Sequence, residues 1–126
     1  MQLEQVIKEF GESVGFQSLE INSNGVVHMT ITKVGDLFID KKYHDESGGN
    51  VFVYLLRVYE RVDGELYRRA LELCEYKPDA EFLVNPVLHG DRALGFAVKC
   101  KSSLFDTGIL LKIIHVLKDL QDRLES

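Results

Sequence analysis

A chain of 126 residues with 45% hydrophobic and 28% charged residues has the balance of a folded soluble protein and not of a disordered one, and its length suits a single domain, residues 1–126. The formal net charge is −5 and no stretch gathers Lys and Arg into a stripe, so the sequence offers no footprint for a nucleic-acid partner. The segment from Met1 to Val6 lacks the basic start and apolar run of a signal peptide, and no segment nears the roughly 20 apolar residues of a membrane span, which predicts a cytoplasmic protein without a membrane partner.

In chain order, Leu3, Val6, Ile7, Phe10 and Val14 recur at steps of three and four and predict an amphipathic first helix ended by Gly15. Phe16 to Ile21, the Asn24-Gly25 turn and Val26 to Thr32 predict a hairpin, with Val27 and Met29 on the face opposite Val26 and His28. Val34-Gly35-Asp36 turns the chain into Leu37 to Tyr43, where Leu37, Ile39 and Tyr43 share a face. Asp45 to Asn50 reads as a polar loop, and the apolar run Val51 to Tyr59 as a central strand covered on both faces.

Asp63 is placed to cap a second helix running through Tyr76, with Pro78 beyond its end. Phe82 to Leu88 and Arg92 to Cys100 flank His89-Gly90-Asp91 as a second hairpin, and Pro86 pushes its strand toward an edge. Leu110, Ile113, Leu117, Leu120 and Leu124 form the stripe of a last helix, whose start is signalled by Ser103 with Asp106 three residues on. The predicted fold class is α+β: an antiparallel sheet with three helices, in the order helix, strands, helix, hairpin, helix.

Chemistry is sparse. Cys74 and Cys100 have no zinc-type spacing and read as buried free thiols, and His28, His44, His89 and His115 form no HxxxH or HExxH arrangement. There is no GxxxxGK[ST] loop, no GxGxxG after a strand and no GxSxG elbow. The expectation is a binding protein with no catalytic residues, no metal site and no cofactor.

This order of elements, with the small size, the acidic balance and the amphipathic C-terminal helix, resembles the class I type III secretion chaperones, the Tir-chaperone or CesT-like family, along the whole chain. The resemblance rests on architecture and not on signature motifs. It implies a homodimer with the second helix and nearby strands at the interface, and a secreted effector as partner, whose extended N-terminal segment wraps the dimer without folding. The alternative is a dimeric α+β regulatory or scaffold module that docks a folded protein.

Within that resemblance, the apolar side of the second helix, Leu66, Tyr67, Ala70, Leu71 and Cys74, is the expected dimer interface. The first helix carries more apolar residues than docking on one sheet requires. The expected effector groove therefore joins Leu3, Val6 and Phe10 to Val26, His28 and Phe38, on the strand face opposite Val27, Met29 and Leu37.

Overall fold

The computed structural model describes residues 5, 20–21, 26–31, 33–45, 48–75 and 78–126. Apart from Gln5, the predicted first helix lies outside the described residues, as do the Asn24-Gly25 turn and Tyr76. Six strands, β1 (Glu20–Ile21), β2 (Val26–Ile31), β3 (Gly35–Asp45), β4 (Gly48–Val58), β5 (Val84–His89) and β6 (Ala93–Lys101), form one antiparallel sheet in the order β1-β2-β3-β4-β6-β5. Two α-helices stand among the described residues, α1 (Gly64–Leu73) and α2 (Thr107–Glu125). The α+β class and the antiparallel sheet are as expected.

Alternation decides which side chains meet. In a sheet, residues directly opposite across strands share a face. The register therefore sets Val27, Ile39, Val53, Val98 and Val84 in one row, and Met29, Leu37, Leu55, Phe96 and Pro86 in the next. From the first of these rows Val27, Ile39, Val53 and Val98 are buried, and from the second Met29, Leu37, Leu55 and Phe96, in one cluster with Leu110, Ile113, Leu117, Leu120 and Leu124 of α2. The helix stripe read from the sequence is thus the lid of this protein's own core. Gln121, also buried, donates from Nε2 to the Leu94 carbonyl at 3.1 Å and ties α2 to β6.

Three local readings are corrected. Within the polar run from Asp45 to Asn50, read as a loop, Asp45 and Gly48 to Asn50 are strand, because β3 and β4 pair out to Asp45 and Gly48; Glu46 and Ser47 lie outside the described residues. Main-chain hydrogen bonds carry a hairpin arm whether or not its side chains are apolar. A register shift between Asp40 and Tyr43 breaks the alternation read from Leu37 through Tyr43. Asp106, not Ser103, caps α2: its carboxylate accepts from Ile109 N at 2.8 Å, while Ser102–Leu104 forms a separate 3-10 turn. Asp63 caps α1 as predicted, accepting from Leu66 N at 2.8 Å.

One polar cluster fastens the sheet to the end of α2. Arg57 donates from Nε to the Val34 carbonyl, from Nη1 to Glu125 at 2.6 Å and from Nη2 to Asp122 at 3.0 Å, and Tyr59 Oη donates to Glu125 at 3.0 Å. Burial first, and then the bond to Glu125, pushes the Tyr59 hydroxyl well above the usual tyrosine range. Lys118, followed by Arg57, holds the Asp122 carboxyl below the usual carboxylate range.

Candidate functional site

Two surfaces stand out: the face of the sheet away from α2, and a groove beside α1.

On the first, the register aligns Val26, Asp40, Phe52 and Lys99 in one row. The next holds His28, Phe38, Tyr54, Ala97 and Asn85, and a third holds Thr30, Asp36, Leu56, Gly95 and Val87. The rings of His28 and Phe38 stack 4.4 Å apart at 3°, and those of Phe38 and Tyr54 4.8 Å apart at 8°. Asp36 steadies the outer ring: it accepts from Thr30 Oγ1 at 2.7 Å and lies 3.3 Å from His28 Nε2. Burial, and then the nearby Asp40 charge, raises the Tyr54 hydroxyl above its ordinary range. Beyond the stack a recess of about 310 Å³ opens between Asp40, Phe52, Tyr54, Val87 and Ala97.

Of the expected effector-binding residues, the structure brings His28 and Phe38 into contact and leaves Val26 half-buried on the same face, whereas Leu3, Val6 and Phe10 lie outside the described residues. Sequence reasoning missed Phe52 and Tyr54. Their signal was present as alternation with the buried Val51, Val53 and Leu55, but it was submerged in a run where both faces are apolar. The run is central in the sheet, yet its second face is only partly covered: Phe52 and Tyr54 are half-buried and Val58 is 65% exposed.

The second surface is a groove of about 360 Å³ where the end of α1, the approach to β5 and the middle of α2 meet. Leu73, Cys74, Phe82, Leu83, Val116 and Leu120 give it an apolar lining, and Glu75 and Asn85 stand among its walls. Leu83 is 67% exposed beside it. β5 ends the strand order, so among the described residues one side of its main chain has no neighbouring strand. Burial pushes the Cys74 thiol up to about 11, so it stays protonated and unreactive near neutral pH.

The expected dimer residues divide sharply. Ala70 is fully buried within the protomer, and Leu66, Tyr67 and Cys74 are half-buried against its own core. Leu71 alone of the five is exposed. Among the described residues no helix is long and apolar enough to cross a membrane, and no three His, Cys, Asp or Glu side chains gather as metal ligands.

No protein-family model matches the sequence, and no curated protein is detectably similar to it. Solved structures are similar in fold. The type III secretion chaperone SycH of Yersinia pestis, solved in complex with a stable fragment of YscM2, superposes with a TM-score of 0.62 at 17% identity over 95% of this chain and 94% of that one. A chain of the HopA1-SchA chaperone-effector complex superposes with a TM-score of 0.65 at 13% identity over 98% of this chain and 93% of that one. The chain shares the fold of these secretion chaperone structures.

Proposed function

We propose that this protein is a type III secretion chaperone that binds an extended N-terminal segment of a secreted effector in the bacterial cytoplasm and keeps it export-competent, without catalysis or cofactor. The observation that carries the reading is the groove beside β5 in a fold shared with two chaperone complexes. An outermost strand offers main-chain hydrogen bonds, and an adjoining apolar groove takes alternate side chains of an extended client. A disordered client suits such a site because it covers much surface without folding.

This division departs from the one the sequence suggested. Ala70 is buried in the protomer's own core and Leu66, Tyr67 and Cys74 pack partly against it, and the reading assigns the apolar groove at the end of α1 to the client. Leu3, Val6 and Phe10 stay within the client reading as a second contact.

The test is to identify what co-purifies from the native host and trim it to a minimal binding segment. An unfolded N-terminal segment that still binds is the expected result, whereas a requirement for a folded domain favours the scaffold reading. Leu83→Asp is expected to leave the melting temperature unchanged and weaken capture of that segment at least tenfold. Wild-type affinity in Leu83→Asp would remove the groove from the client site.

A further inference from the structure

We infer that the recess on the open face of the sheet, between Tyr54 of β4 and Ala97 of β6, takes the guanidinium of an arginine presented by a protein partner, stacked on Tyr54 and paired with Asp40. This stands apart from whatever fills the groove beside α1.

The geometry comes from one row of the register. His28, Phe38 and Tyr54 stand side by side on β2, β3 and β4, their rings nearly parallel and 4.4 and 4.8 Å apart. That is one ring per strand, at about the 4.8 Å separation of strands in a sheet. β6 continues the row with Ala97, whose methyl group cannot extend the stack. Next to it on the same face, Gly95 keeps the floor low, because a Cβ there would lie 1.7 Å from the Leu55 carbonyl oxygen. The recess of about 310 Å³ opens at this step, on the side of Tyr54 away from Phe38, and is lined by Asp40, Phe52, Tyr54, Val87 and Ala97.

Four apolar or aromatic side chains and one carboxylate select the occupant. It must be flat to extend the ladder over Ala97, and positive to match Asp40. Arginine meets both demands: its guanidinium is planar, stays charged, stacks on aromatic faces and donates to a carboxylate as a fork. A neutral ring would cover Asp40 without a counter-charge, and the lysine ammonium is compact and strongly hydrated. Asp40 also interacts within the protein, and a carboxylate offers about four lone-pair sites, so the fork adds to those contacts.

The surroundings favour a cation as well. Asp36 and Asp40 flank Phe38 at alternate positions of β3, and Glu20 pairs with His28 at the end of the aromatic row. Lys99 stands two strands from Asp40 on the far side of Phe52, and is not among the lining residues. Among the described lining residues none is cationic, so nothing there would hold the α-carboxylate of free arginine; an arginine within a peptide chain has no such group to satisfy.

The experiment titrates the full chain with N-acetyl-arginine methylamide, followed by nuclear magnetic resonance of the side-chain methyls. Saturable shifts are expected at Ala97 and Val87, with a dissociation constant on the order of millimolar for a single side chain. The matching lysine compound should bind about threefold more weakly or worse, and free arginine no more tightly than the blocked form. Asp40→Asn and Tyr54→Leu should each weaken binding about fivefold or more while keeping the wild-type circular-dichroism spectrum. Ala97→Leu, which fills the recess, should abolish it. The absence of saturable shifts at Ala97 and Val87, wild-type affinity in either Asp40→Asn or Tyr54→Leu, or equal affinity for the lysine compound would each overturn the inference. Tighter binding of free arginine than of the blocked form would overturn the peptide source.

Discussion

The two faces of the sheet are made by the same strands, residue by alternate residue, and they are packed to opposite ends. Toward α2, Leu55 and Phe96 are fully buried in the core; toward the other side, Tyr54 and Ala97, one residue away on each strand, line an open recess. The strands themselves do not cause the difference. Apolar content is high on both faces of β4, and what separates them is that α2 covers one. The aromatic row of His28, Phe38 and Tyr54 is contiguous, which sets it apart from the single exposed hydrophobes that any surface carries.

The largest effect that would sharpen this contrast is on the covered face. Phe96→Ala is expected to lower stability by about 3–5 kcal/mol in urea unfolding, as truncation of a fully buried aromatic leaves a cavity. If the loss were under about 1 kcal/mol, Phe96 would not be core.

Next comes the clasp between sheet and α2. Arg57→Met is expected to cost about 2 kcal/mol near neutral pH, because it removes charge-assisted bonds to Asp122 and Glu125 from a largely buried guanidinium. The sign with pH follows from Asp122, whose carboxyl is held low in the folded protein by Lys118 and then Arg57. Its contribution is complete above the ordinary carboxylate range and is lost as the pH falls through the depressed folded value. The gap in melting temperature between wild type and Arg57→Met should therefore be flat from pH 7 to 5 and narrow only in strong acid. A gap that widens on acidification would refute the assignment.

A smaller effect belongs to the open face. Tyr54→Ala should cost only about 1 kcal/mol, since the side chain is only partly buried and its stacking on Phe38 is what is lost. A loss equal to that of Phe96→Ala would abolish the distinction between the faces.

The smallest pair tests the start of the covering helix. Asp106→Ala should cost about 1 kcal/mol by leaving the Ile109 amide without its cap, while Ser103→Ala should stay within about 0.5 kcal/mol. Equal losses would return the cap to the position that the Ser103 spacing suggested.

Much of this was legible in the chain because it depends on short-range periodicity. The stripe from Leu110 to Leu124, the alternation of Val27 and Met29 against His28, the Asp63 cap and the turn at Gly90, whose φ of +67° suits glycine, are each decided within a few residues. The same periodicity named His28 and Phe38 as neighbours on one face. It could not separate Phe52 and Tyr54 from the core, because a run apolar on both faces does not say which face a helix will cover. Nor could it see that Ala70 is fully buried while Leu71 is exposed, or that Asp40 and Lys99 flank one aromatic ring. Those relations join strands that are far apart in sequence, and only the register of the folded sheet, set by main-chain pairing and by burial beneath α2, brings them together.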